Sequence, residues 1–385
     1  MNENGVDGRD GGMRRAGRPG FELAASKLRR PVVRPGSVRR LALLDRLGRG
    51  PTGPVVSVVA PAGYGKTTLL AQWAEANGQA FAWVSVDERD NDPKVLLTYV
   101  AAALDAVEPV GGRVFDALAS FGSSVPGSVV PRLGSALASM SSPVTLVLDD
   151  VHLLRNPECR AAVPVLADHV PGGSHLVLAG RDAPPLPVAR LRTQGRITEV
   201  GPGDLALTVA EASSLLREAG IMLGPDELAE LHRRTEGWPA GLYLAALSLR
   251  EGGSVQDAVA SLTGGNGLLG RYMESQFLAH LSARRREFLT RTAVLERMCG
   301  PLCDAVLERR GSAAVLAGLA RSNLLLVPLD QRGKWYRYHQ LFRDTLLAQL
   351  HRREPGLVPV LRRRLVRPER PARRGAGVFH RRRRR

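Results

Sequence analysis

The residues best suited to chemistry on a phosphate are Gly63-Tyr64-Gly65-Lys66-Thr67-Thr68 and, further along, the acid pair Asp149-Asp150. Glycines at such a turn let successive backbone N–H groups point into one concavity, and a helix starting behind them adds its positive end. Lys66 would reach the β- and γ-phosphates of a nucleotide, and the Thr67 hydroxyl would hold Mg²⁺. The strict pattern opens on glycine, where this chain has Ala60. One Cβ there is tolerable if φ stays negative. The cradle is then Ala60, Gly63, Tyr64, Gly65, Lys66, Thr67 and Thr68; the bland alternative is a glycine-rich turn before an ordinary helix. Asp149 ends the apolar run Leu146-Val147-Leu148, where a carboxylate can hold Mg²⁺ directly or through water. Asp150 is placed to orient or deprotonate an attacking water, unless one of the two acids only caps a turn.

Three further positions belong with these. Arg181 ends the next apolar strand on the same sheet edge, where an arginine senses the γ-phosphate or makes a salt bridge in a loop. In Glu236-Gly237-Trp238-Pro239, glycine and proline stop one helix and start another. Such a Trp-Pro corner could pack on an adenine ring or be a plain helix–helix corner. His339, inside the aromatic run Lys334–Asp344, is either structural or a ligand to the β-phosphate.

The elements that must position these residues follow from periodicity. Apolar runs at 54–59, 81–87, 144–150, 174–181 and 197–201 alternate with helical patterns, which predicts a parallel sheet with helices on both faces, the α/β class. Asp92-Pro93 predicts a capped helix start, and the segment 33–39 would lie over the base. Thr208-x-x-Glu211 is a capping box that opens an all-helical stretch to about 296. Helices at 301–309 and 312–321, then strands at 324–329 and 334–338, predict a winged helix. The expected division is a disordered basic N-terminus (1–30), a P-loop ATPase core (31–207), a helical lid (208–296), a winged helix (297–352) and a basic tail (353–385).

The net charge of +17 invites a nucleic-acid reading, but its location argues against a basic core. Residues 1–40 carry +6 and residues 361–385 carry +11, which leaves 41–360 neutral. No apolar run approaches the ~20 residues of a membrane span, and no secretion signal core is seen. Cys159, Cys299 and Cys303 are too few and badly spaced for a disulfide framework or a zinc site, so a cytoplasmic protein is expected.

Taken together, APAGYGKTT, LVLDDVHLL, LVLAGRDAPPLPVARLR, EGWPAGLYLAALSL and YRYHQLFRD resemble, in order and spacing, the STAND class of AAA+-related P-loop ATPases. The likeness is greatest to the large LuxR-type transcription activators related to the maltose-regulon activator, and runs from about Ser26 to Arg364. It implies an ATP/ADP switch with Mg²⁺ and slow hydrolysis: Lys66 and Thr67 on phosphate and metal, Asp149 on the metal, Asp150 in hydrolysis, Arg181 as sensor. It further implies Pro239 on adenine and His339 in the ADP state. It implies a homo-oligomer in the ATP state, DNA reached through a helix-turn-helix domain, and RNA polymerase as a partner. Members continue past the winged helix into a helical-repeat sensor domain, whereas this chain runs into a Pro/Arg-rich stretch, 365–385. That stretch reads as an out-of-frame continuation: read one nucleotide later, permitted codons yield an amphipathic helix pair. Two other classes compete, a metabolic P-loop kinase and a non-specific nucleic-acid binder acting through the arginine tail.

Overall fold

The computed structural model describes residues 21–48, 53–119, 125–250, 254–256, 267–322 and 325–366. Its centre is a parallel sheet of β1 (Val55–Val59), β2 (Ala80–Ser85), β3 (Val144–Asp149), β4 (His175–Gly180) and β5 (Ile197–Val200), in the order β2-β3-β4-β1-β5. Helix α1 (Leu41–Gly48) precedes it. Helices α2 (Lys66–Ala76), α3 (Pro93–Asp105), α4 (Gly112–Ala119), α5 (Val125–Ala138), α6 (Pro157–Asp168) and α7 (Val188–Thr193) fall between the strands. All six residues of β3 and of β4 are buried, as a sheet covered on both faces requires.

Side chains alternate across the sheet, so each strand feeds two cores. Val55, Leu146 and Leu178 face the core built with α3 to α6. Val56, Val147 and Val177 face the other, which continues without a break into the C-terminal helices. Those are α8 (Pro202–Leu205), α9 (Val209–Glu218), α10 (Pro225–Thr235), α11 (Pro239–Arg250), α12 (Leu268–Met273), α13 (Ala283–Thr292), α14 (Gly300–Leu307) and α15 (Ser312–Arg321). The antiparallel pair β6 (Leu326–Pro328) and β7 (Tyr336–Tyr338) follows, then α16 (Gln340–Arg353) and α17 (Leu357–Val366). Two helices and a hairpin make the predicted winged helix.

Local chemistry sets the predicted boundaries. The Asp92 carboxylate accepts from the Lys94 and Val95 amides with Pro93 in the first turn, and Thr208 and Glu211 close their capping box. β4 lies between the acid-bearing β3 and β1, an order the sequence left open. Two features differ from the sequence expectations. Residues 21–30, expected to be disordered, hold a 3₁₀ turn at Ala25–Leu28; Lys27 pairs with the fully buried Asp90 and lies over the Tyr99 ring. Residues 357–366, assigned to the basic tail, form α17, whose Val358 and Leu361 are buried. The out-of-frame reading, at 365–385, falls almost wholly outside the described residues.

The helical and winged-helix parts meet at Glu236, which sits in the left-handed region at φ 51°. Its carboxylate takes two hydrogen bonds from Arg337, at 2.7 and 2.8 Å, and one from the Gln340 amide at 2.9 Å. Burial alone would push this carboxyl up, but the Arg337 guanidinium, His339 and the Gln340 amide outweigh it and hold it below the usual glutamate range. A carboxylate depressed in the folded state stabilises above its unfolded pKa and loses that contribution as pH falls through the folded value. Glu236→Gln should therefore cost about 1–2 kcal/mol at neutral pH, discounted for the partial exposure of the pair. The gap in melting temperature between wild type and variant should begin to narrow as pH falls below about 4.5, the ordinary value of the group, and vanish only below its lower folded value; a gap that acid does not narrow would contradict this account.

Candidate phosphate-binding site

The parallel register brings the C-terminal ends of the strands to one edge. Val59 pairs with Gly180, so the glycine loop and Arg181 leave the sheet side by side, and Asp149 pairs with Ser85 across the same edge. Gly63 and Gly65 both have left-handed φ, +78° and +77°. Gly63 is doubly constrained: a Cβ there would come within 2.5 Å of the Ala240 Cβ and 2.9 Å of Trp238 Nε1. Ala60 is not among the positive-φ residues, which is why a Cβ is accepted where the strict pattern has glycine.

Lys66 is buried, and its Nζ donates to the Ala60 and Pro61 carbonyls at 2.8 and 3.1 Å, folding the side chain over its own loop. Burial pulls its pKa down to about 8, with Asp150 and Asp149 opposing the shift and Arg181 adding to it. The Thr67 hydroxyl donates to Asp149 Oδ2 at 2.7 Å, so the two residues expected to share a metal ion touch although a whole strand separates β3 from β1. Burial, and then the neighbouring Asp150, push Asp149 up to about 6. Asp150 stands at φ 58° with its side chain half exposed. A non-glycine residue in that region costs roughly 1–3 kcal/mol and marks functional sites more often than structural ones.

Beside the loop opens a cavity of about 340 Å³. One wall is Gly63 to Gly65 with Thr68; the others are the segment Arg34–Val38, the apolar Leu205, Leu207 and Leu215, and Pro239 with Tyr243. Arg40 keeps the segment 34–38 in place by donating to the carbonyls of Asp204, Leu205 and Ala206. A phosphate cradle with an apolar chamber next to it fits a nucleotide. The Thr67–Asp149 pair is the oxygen-donor set that suits Mg²⁺.

The corner Trp238-Pro239 divides its roles. Pro239 lines the cavity, but the Trp238 ring is fully buried and donates from Nε1 to Ala62 O at 3.1 Å, so it braces the loop rather than facing a base. The Ala240 amide adds a bond to Gly63 O at 3.1 Å. His339 does not line the cavity. Its ring lies 5.8 Å from Trp238, and its Nε2 is bonded to Thr235 O at 3.0 Å. Arg181 is held by Gln276, 95 residues further along the chain. His152, which sequence reasoning passed over, has its Nδ1 3.7 Å from Asp150 Oδ1; burial pushes its imidazole down to about 4, so it is neutral at pH 7. Its only signal was its position two residues after the acid pair. Among the described residues no helix is long and apolar enough to cross a membrane.

Residues 274–358 match the MalT winged helix domain family. The chain is 35% identical over 334 residues to the HTH-type transcriptional regulator MalT of Serratia proteamaculans, covering 85% of this chain and 36% of that protein. It is 31% identical over 341 residues to the serine/threonine-protein kinase PknK of Mycobacterium tuberculosis, covering 87% of this chain and 31% of the other. The chain thus spans about a third of the length of the curated relatives it matches. Among solved structures, a Walker-type ATPase of Pyrococcus abyssi superposes with a TM-score of 0.56 at 17% identity, covering 82% of this chain and 99% of that one. That likeness agrees with the P-loop ATPase fold read from the sheet and loop.

Proposed function

We propose, from the premise that this chain joins a P-loop ATPase fold to a MalT winged helix domain, that it is the nucleotide switch of a MalT-like transcription regulator. The observation that carries the reading is the 2.7 Å contact of Thr67 with Asp149 at the mouth of a loop whose Gly63 admits no side chain. MalT and PknK have different printed activities yet match the same stretch of this chain. What they share with it is therefore better read as the nucleotide-responsive part than as either effector.

In this reading Ala60 to Thr68 bind the ATP or ADP phosphates, with Lys66 turning from its loop carbonyls to the β- and γ-oxygens. Pro239 and the segment 34–38 enclose the adenine. Thr67 and Asp149 hold Mg²⁺, which supplies neutralising charge to the phosphate oxygens. Asp150 takes or orients the proton of the attacking water, and its half-exposed carboxylate is free to do so. Trp238 links the loop to His339, so His339 acts on the phosphate site through that ring. Hydrolysis is slow, the ATP state assembles with further copies, and DNA and RNA polymerase are engaged through the wider regulator. The division into ATPase core (31–207), helical lid (208–296) and winged helix (297–352) belongs to this proposal.

Asp150→Asn tests the assignment of roles. Asparagine tolerates left-handed backbone as well as aspartate does, so the fold and ATP affinity should survive. Removing a general base should lower ATP turnover about 10²-fold or more. The check is phosphate release alongside ATP binding; a variant that turns over at the wild-type rate removes Asp150 from the mechanism. A kinase would instead show turnover that depends on a second substrate.

A further inference from the structure

Arg181 leaves the sheet edge immediately after Gly180, which is paired with the last residue before the glycine loop. Its charge is felt at both Lys66 and His152, adding to the lowering that burial causes at each. Yet its guanidinium is held from across the molecule: Nη1 donates to Gln276 O and Nη2 to Gln276 Oε1, both at 2.9 Å. Gln276 lies in a π-helical turn, Glu274–Leu278. Such turns are rare and concentrate at functional sites.

That turn is fixed to the winged helix on its other sides. Glu274 accepts from Arg286 of α13 at 2.8 Å and from Gln349 of α16 at 3.1 Å. Phe277 packs between Trp238 and Phe342, with ring centroids at 6.4 and 5.9 Å. Although it lies within the helical stretch 208–296, the turn begins the segment that matches the MalT winged helix domain, 274–358, and so is counted with the winged helix. Gln276 is therefore bound to the winged helix, while Arg181 belongs to the strand end beside the phosphate loop.

We propose that Gln276 is a positioning residue that competes with the third phosphate of a nucleotide for Arg181, and so couples the winged helix to the phosphate count. With a diphosphate bound, Arg181 stays on Gln276 and ties the winged helix to the sheet edge. With a triphosphate bound, Arg181 turns to the γ-phosphate and the tie is released. By linkage, any ligand that favours one arrangement must be favoured by it to the same degree. This inference rests on the nucleotide-switch reading.

The test measures dissociation constants for Mg·ADP and for a non-hydrolysable ATP analogue with Mg²⁺, on wild type, Gln276→Ala and Gln276→Glu. Gln276 is half-buried, and the glutamate is isosteric, so both variants should fold. Removing one charge-assisted bond in Gln276→Ala should move the ADP/triphosphate preference about tenfold toward the triphosphate. Gln276→Glu, which gives Arg181 a carboxylate partner, should move it at least as far toward ADP. In an Arg181→Ala background both shifts should vanish. A merely structural glutamine would weaken both nucleotides alike, and shifts of the same sign, or a ratio unmoved within twofold, overturn the coupling. Wild type that binds neither nucleotide overturns the switch reading and this inference together, whereas intact binding with an unmoved ratio overturns only the inference.

Discussion

Lys66→Ala should abolish the stabilisation that ATP and Mg²⁺ give this protein while leaving the ligand-free fold intact. A ligand at about 100 times its Kd adds ~2.7 kcal/mol to the native state, or roughly 3 °C of melting temperature for a chain of this size. If losing the ammonium weakens binding by about 10²-fold, the same ligand concentration leaves only ~0.4 kcal/mol. The fold itself has little to lose, because among the described residues Lys66 pairs with no carboxylate within hydrogen-bond reach and donates to two carbonyls of its own loop. A buried ammonium is a cost that alanine removes. The pH dependence gives a second readout. Burial holds the Lys66 pKa at about 8, below its ordinary 10.5. Between those values the unfolded chain binds more protons, so this group makes stability rise with pH. The ligand-free variant should lack that rise. Thermal unfolding with and without nucleotide, at pH 7 and 9.5, covers both. An ATP shift of equal size in wild type and variant would remove the phosphate loop from the account.

How much of this was legible in the sequence depended on range. Strand, glycine turn and helix at 55–76, the Asp92-Pro93 cap and the Thr208 box are local, and their signals are complete within a few residues. The order of strands was not legible. β1, β3 and β4 are all continuous apolar runs, and nothing in such a run says which neighbour it takes. The acid pair does lie beside the loop, but from across β4, with Thr67 reaching Asp149. Arg181 could be assigned to the phosphate edge because it ends a strand, but its partner lies 95 residues away in a turn whose sequence reads as ordinary helix. The same limit applies to Trp238. A Trp-Pro corner announces a change of direction, not the loop against which the indole is pressed. The 3₁₀ turn at 25–28 was masked by arginine-rich surroundings, since one lysine meeting one buried aspartate leaves no periodic trace.

The larger stability effect belongs to Trp238. Its ring is fully buried among Tyr272, Phe277 and His339, at centroid distances of 5.8, 6.4 and 5.8 Å, and its N–H is the bond that ties the corner to Ala62. Trp238→Ala should cost about 3–5 kcal/mol, because packing of this density leaves a cavity when a large side chain is deleted. Trp238→Phe keeps most of the packing and removes the N–H donor, leaving the buried Ala62 carbonyl short of a partner at about 1–3 kcal/mol. The two variants separate bracing from filling. If the indole only fills space, Trp238→Phe should bind nucleotide like wild type. If it holds Gly63 and Ala62 in their phosphate-facing arrangement, Trp238→Phe should lose affinity out of proportion to its small loss of stability. The second outcome is expected, since Gly63 is pressed against that indole, Ala240 and the Tyr272 hydroxyl with no room for a methyl group. Denaturant unfolding together with nucleotide titration of both variants decides between them. Wild-type affinity in Trp238→Phe would reduce the corner to a packing element and cut the physical link between the winged helix and the phosphate site at this point.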